Sequence, residues 1–195
     1  MRVIAGSAGG IQLDVPKSGV RPTMDRVKAA IFSSLGEEVI GARVLDLFAG
    51  TGALGIEALS RGAASALFVE ENNAAVAMIE RNLARTKLEG RVRKQAVFAF
   101  LKSAQLPEPF RIIFADPPYE KTKSGGEFTQ LLLESPELAG MLDASGFFVL
   151  EKRPAEKMAP TPLWNVTRAR KYGATEVLFL QRSARPDKSE NAVLS

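Results

Sequence analysis

The chain contains no cysteine and no histidine. Without thiolates or imidazoles, a disulfide framework, a structural zinc site, a cysteine nucleophile and a Ser-His-Asp triad are all excluded. Alkylation of a pyrimidine carbon through a covalent cysteine adduct is excluded with them. Chemistry must come from carboxylates, amides, hydroxyls, backbone groups, Lys or Arg, or from a borrowed cofactor, and no metal is expected. Long apolar runs are missing as well: nothing approaches the ~20 residues needed to cross a bilayer. Met1-Arg2-Val3-Ile4 carries no signal-peptide pattern, so the expectation is a cytoplasmic protein without a membrane partner.

What remains is a chain of 195 residues, 46% hydrophobic, enough for one well-buried core and short for two. We expect a single domain over residues 1–183, including an N-terminal extension over 1–37. Residues 184–195 are polar and aperiodic and read as a disordered tail. The formal charge of +4 favours an acidic partner without identifying it.

The middle of the chain alternates short β-rich apolar runs with helical stretches, the pattern of an α/β fold with a mostly parallel sheet covered on both faces. Strands are expected at residues 43–48, 65–70, 91–95, 110–115, 146–151 and 175–181, with a further one at 164–170. Helices are expected at 53–60, 73–86 and 97–103, and over 127–142 with a break at Pro136. Ahead of these lies a different segment. Strand-like residues 3–6 and 11–15 flank Gly9-Gly10, and a helix begins near Thr23, a plausible N-cap.

Residues 44–48 form an apolar strand that ends in Ala49-Gly50-Thr51-Gly52-Ala53-Leu54-Gly55, after which a helix begins. Gly50 and Gly52 suit a tight turn that lets a ligand approach the main chain beside free helix N–H groups. Glu70 ends the second strand, where a carboxylate can accept both hydroxyl protons of a ribose. The set specifies an adenosine-containing cofactor. The spacing Gly50-x-Gly52-x-x-Gly55 also satisfies the dinucleotide fingerprint, so an NAD-dependent oxidoreductase is a competing reading. Asp46 weighs against it: a carboxylate within that strand suits the cationic amino group of a methionine moiety and would repel a pyrophosphate. The plainest alternative is a tight turn with no ligand.

A second strand pattern, Arg111-Ile112-Ile113-Phe114-Ala115, runs into Asp116-Pro117-Pro118-Tyr119. Two prolines cannot continue a central strand and fix a rigid corner at the carboxyl end of the sheet, where open α/β folds place ligands. An exocyclic amine on a nucleobase is a poor nucleophile because its lone pair is delocalised into the ring. Hydrogen bonds from that NH2 to the Asp116 carboxylate and the Pro117 carbonyl favour a pyramidal, nucleophilic nitrogen. Tyr119 can stack on the base and align it. The competing reading is a proline-rich turn in which Asp116 caps a helix and the tyrosine fills a groove.

Taken together these residues resemble the bacterial 16S rRNA guanine-N2 methyltransferases, which use S-adenosylmethionine (SAM). The likeness runs over nearly the whole chain. It rests on Arg21-Pro22-Thr23-Met24-Asp25-Arg26-Val27, the stretch from Asp46 to Gly55 with Glu57-Ala58-Leu59-Ser60-Arg61-Gly62, the Asp-Pro-Pro-Tyr corner and Tyr172-Gly173-x-Thr175. The resemblance implies a Rossmann-like seven-stranded sheet with its last strand antiparallel, preceded by a β-hairpin and helix. It implies SAM bound by Asp46, Phe48, Gly50, Thr51, Gly52, Glu70 and the backbone of Val97, and a base pocket of Asp116, Pro117, Pro118 and Tyr119. Arg21 and Thr23 would then lie near the SAM carboxylate or a substrate phosphate; a surface ion pair is the plainer role for Arg21. The implied partner is 16S rRNA within a small-subunit assembly particle.

Two positions depart from the family pattern. The hairpin reads Ala8-Gly9-Gly10-Ile11-Gln12, where a basic pair is common, and Ala96 stands where Asp or Asn often contacts the adenine amino group. Basic residues gather at Arg81, Arg85, Lys87, Arg91, Arg93 and Lys94, read here as a solvated face. A second group, Arg168, Arg170 and Lys171, lies beside Tyr172-Gly173 and is the better candidate for RNA phosphates. Two other functions use the same features: an adenine or cytosine amino-methyltransferase acting on DNA, and a non-catalytic SAM-binding RNA chaperone.

Overall fold

A computed structural model of the chain describes residues 1–16, 24–118, 127–156 and 158–183. Seven strands form one sheet: β1 (Arg43–Leu47), β2 (Ser65–Glu70), β3 (Arg91–Lys94), β4 (Phe110–Ala115), β5 (Leu142–Lys152), β6 (Trp164–Tyr172) and β7 (Thr175–Arg182). Their spatial order is β3-β2-β1-β4-β5-β7-β6. The first five are mutually parallel, and β7 runs antiparallel to both of its neighbours.

Strand alternation divides the interior in two. Val44, Phe68, Ile112, Phe114, Val149 and Val177 pack toward α1 (Met24–Leu35), α2 (Ala53–Ser60) and α3 (Asn73–Thr86). Leu45, Val69, Ile113, Phe148, Leu150 and Leu178 pack toward α4 (Val97–Ser103), α5 (Glu127–Glu134) and α6 (Pro136–Met141). Strands that bury both faces need apolar residues at every position, which is why the central runs lack an alternating polar pattern. The chain turns from one face to the other between β1 and β4, the point where strand order reverses and where such sheets leave a crevice for ligands.

The expected helix over 127–142 ends at Glu134 and restarts at Pro136, with Ser135 capping the new helix by accepting from Leu138 N at 3.1 Å. β5 starts four residues ahead of its expected position. In this added segment Asp143 Oδ1 accepts from Ser145 N at 2.9 Å, and the strand continues through both residues with a register shift against β4.

The N-terminal hairpin is present but shorter than the strands expected at residues 3–6 and 11–15. Among the described residues its pairing is a single bridge, Arg2 to Gln12, flanked by Val3 N to Ile11 O at 2.9 Å and Leu13 N to Met1 O at 3.0 Å. The donors that would have shaped a longer strand are taken by α2. Ile4 N and Ala5 N donate to the Glu57 carboxylate at 2.7 and 3.1 Å, Ser7 N to Ser60 O at 2.8 Å, and Ala8 N to Ser60 Oγ at 3.0 Å. Glu57, fully buried, also receives Lys28 Nζ at 2.9 Å and Arg61 Nε at 2.7 Å. Burial raises a carboxyl's pKa, but these donors outweigh it and hold Glu57 below the ordinary range.

Candidate active site

At the carboxyl ends of β1, β4 and β5 the structure encloses a cavity of about 340 Å³, within the usual size of small-molecule sites. The sheet builds its floor. Alternation along β1 turns Asp46 toward the α2 side, where it is buried with Val44. The chain then turns sharply: Phe48 has φ +54°, a left-handed conformation unusual for a residue with a Cβ. Gly52, at φ +76°, is the N-cap of α2 and takes that backbone shape without steric cost.

Asp46 Oδ2 accepts the N–H of Gly55 at 2.9 Å. A side chain at position 55 would collide with the Phe68 ring and bring a Cβ within 3.1 Å of the same Asp46 oxygen, so the contact requires glycine. Burial raises the Asp46 pKa to about 8; the Gly55 hydrogen bond partly offsets this, and the negative charges of Asp116 and Glu70 add to it. A buried carboxyl of this kind is short of positive charge. It accommodates a cation delivered by a ligand.

Glu70 at the end of β2 supports the turn: its Oε2 accepts from Gly50 N at 2.9 Å and its Oε1 from Asn72 N at 2.8 Å. Asn82, buried in α3, holds the turn from below, donating through Nδ2 to Thr51 O at 2.9 Å and to Asp14 O at 3.1 Å. Its Oδ1 accepts from Asp14 N at 2.7 Å. One amide therefore ties the N-terminal segment to the glycine turn. Nothing local in the sequence announces this residue, because its partners are backbone groups distant along the chain.

Of the residues singled out from sequence, Asp46, Phe48, Gly50, Thr51, Asp116, Pro117 and Pro118 line the one cavity. Asp116 is exposed there and Pro117 is buried. Glu70, Gly52 and Val97 do not line it, although the first two shape the turn that does. Phe48 also packs on Phe128 at 5.8 Å and on Phe98 at 6.1 Å, an aromatic group that spacing alone does not reveal. Arg168, Arg170 and Lys171 lie on β6, the edge strand, away from the cavity wall. Arg168 donates to Ser34 O at 3.3 Å and sits over the Phe179 ring at 5.6 Å. In the other basic group, Arg81 and Arg85 both pair with Asp14. Arg21, Thr23 and Tyr119 lie outside the described residues. Also on the cavity wall are Lys28, Glu151 and Thr175; Thr175 belongs to the Tyr172-Gly173-x-Thr175 element, and the other two carried no signal in the sequence.

A glycine turn, a buried Asp46 and an Asp-Pro-Pro corner around one crevice narrow the comparison with known proteins. The family described as conserved hypothetical protein 95 matches residues 1–181. The chain belongs to this family. The Bacillus subtilis protein YlbH is 38% identical over 188 residues, covering 93% of this chain and 99% of that protein. Ribosomal RNA small subunit methyltransferase D of Escherichia coli is 36% identical over 187 residues, covering 94% and 91%. The solved structure of Escherichia coli yhhF superposes with a TM-score of 0.78 at 36% identity, covering 95% of this chain and 99% of that one. The conserved hypothetical protein 95 family thus accounts for the N-terminal segment as well as the sheet.

Proposed function

We propose that this chain transfers a methyl group from SAM to the N2 amino group of a guanine in 16S rRNA of the small ribosomal subunit. The observation that carries this reading is the meeting of Asp116-Pro117-Pro118 with Asp46, Gly50 and Thr51 around a single cavity. The curated name of the Escherichia coli relative, which covers nearly the whole chain, supports the RNA substrate.

The residues present fit SAM: the buried Asp46 carboxyl suits its ammonium, and Glu70, ending β2, suits ribose hydroxyls. Phe48, Gly50 and Thr51 would line the methionine end, Gly52 would hold the turn that presents them, and the backbone of Val97 would meet the adenine. When bound, SAM supplies an electrophilic methyl group on a sulfonium. The protein's part is to prepare the acceptor. Asp116 and the Pro117 carbonyl accept the hydrogens of the base NH2, localise its lone pair and stabilise positive charge developing on nitrogen. Pro118 would flank the base and Tyr119 would stack on it, and the prolines keep the acceptors rigid without reorganisation at the moment of transfer. Arg21 and Thr23 would serve the SAM carboxylate or a phosphate, and Arg168, Arg170 and Lys171 the RNA backbone.

The test is incubation with labelled SAM and, separately, naked small-subunit rRNA, assembled small subunits and DNA, followed by nucleoside analysis. Label is expected in N2-methylguanosine from rRNA or particles, and Asp116→Ala should lower its formation by about 100-fold or more. Label confined to N6-methyladenine of DNA would overturn the substrate assignment. No label on any of the three would leave a SAM-binding protein without this activity.

A further inference from the structure

The cavity wall carries one more carboxylate, Glu151, on the side away from the cofactor turn. It is the penultimate residue of β5, and the pairing of Ala115 with Leu150 sets Asp116 and Glu151 side by side at the carboxyl ends of adjacent parallel strands. Along the sheet from β1 through β4 to β5, Asp46, Asp116 and Glu151 follow in that order. Glu151 therefore stands beyond Asp116, on the acceptor side.

We infer that Glu151 accepts the ring N1–H of the acceptor base and so selects guanine, an assignment that rests on the guanine-N2 reading above. The Asp116-Pro117 corner accepts hydrogens from an exocyclic amine, and adenine, cytosine and guanine all offer one. The atom that separates them is the neighbouring ring nitrogen. Guanine N1 bears a hydrogen, directed alongside those of the 2-amino group, whereas adenine N1 and cytosine N3 present lone pairs. Two adjacent carboxylates match the paired donors of guanine. An ionised carboxylate only accepts, so opposite adenine or cytosine Glu151 would meet a lone pair, an unmatched buried contact of the kind that rejects wrong substrates strongly.

The experiment compares binding of guanosine and 2-aminopurine riboside to the full chain saturated with S-adenosylhomocysteine. The second nucleoside keeps the 2-amino group but has a lone pair at N1. The wild-type protein should prefer guanosine by about ten-fold or more. Glu151→Gln, whose amide can donate to a lone pair, should bring the ratio near unity or invert it, and Glu151→Asp should retain the preference with weaker binding. S-adenosylhomocysteine affinity, read in the same titrations, reports that each variant is folded. Equal binding of the two nucleosides by the wild type, or a preference unchanged in Glu151→Gln, would overturn the assignment. A product analysis that finds methylated guanine together with an unchanged nucleoside ratio condemns Glu151 alone; methylated adenine in place of guanine condemns the reading beneath it.

Discussion

Asp46 is the residue whose protonation ought to be coupled most directly to ligand binding. With its pKa raised from 3.8 to about 8, the ligand-free native state keeps a proton that the unfolded chain has released by neutral pH. Its contribution to stability is therefore complete below pH ~4 and is lost as pH climbs through ~8. An ammonium placed against the carboxylate reverses this preference and expels the proton. Calorimetric titration with SAM near pH 7, in buffers of different ionisation enthalpy, should read net proton release, and affinity should rise from about pH 6 to about pH 8. Asp46→Asn should abolish the release and weaken binding; release that persists in the variant would assign the proton to another group. Ala96 offers a second test at this scale. It is the N-cap of α4 and makes no side-chain capping bond. Ala96→Asp should add about 1 kcal/mol of stability through the cap. If an adenine contact is missing here, SAM affinity should also increase, beyond what the native enzyme shows; a gain in Tm with unchanged affinity would confine the effect to the helix.

At the scale of elements, α3 does more than cover the sheet. Replacing Asn82 with Ala leaves Thr51 O, Asp14 N and Asp14 O without their partner, and unpaired buried groups of this kind should cost about 2–4 kcal/mol in urea unfolding. SAM affinity should fall with it, because the glycine turn loses its anchor; unaltered affinity would mean that the turn holds its shape unaided. This clamp also marks what could be read along the chain and what could not. The bounds of α2, α3, α4, β2 and β4 follow from periodicity and turn residues, as does the break at Pro136. The cavity's Asp46, Gly50 and Asp116 were legible because their chemistry is concentrated in short motifs. Asn82, Glu57 and Glu151 were not, since each acts on groups brought near only by folding. The short hairpin has the same origin: residues 3–6 have strand-like composition, but the N–H groups of Ile4 and Ala5 donate to Glu57 of α2.

For the whole molecule, a formal charge of +4 is modest, and its distribution matters more than its sum. Arg81 and Arg85 are balanced by Asp14, whereas Arg168, Arg170 and Lys171 lie exposed on the edge strand β6. If that strand carries RNA, changing all three to Ala should flatten the dependence of log affinity on log salt by about 2, near 0.7 for each lost phosphate contact on a single strand. An unchanged slope would move the RNA path to another face.

The placement of β7 between β5 and β6 has a consequence for how the chain reaches this state. The last of the seven strands to leave the ribosome is an interior one, so until residues 175–182 are made β5 has an open margin and β6 has no partner in the sheet. Thr175, which begins β7, also completes the cavity wall. A nascent chain that already contains every cofactor motif would thus still lack a closed site, and chaperone protection would matter most in that interval.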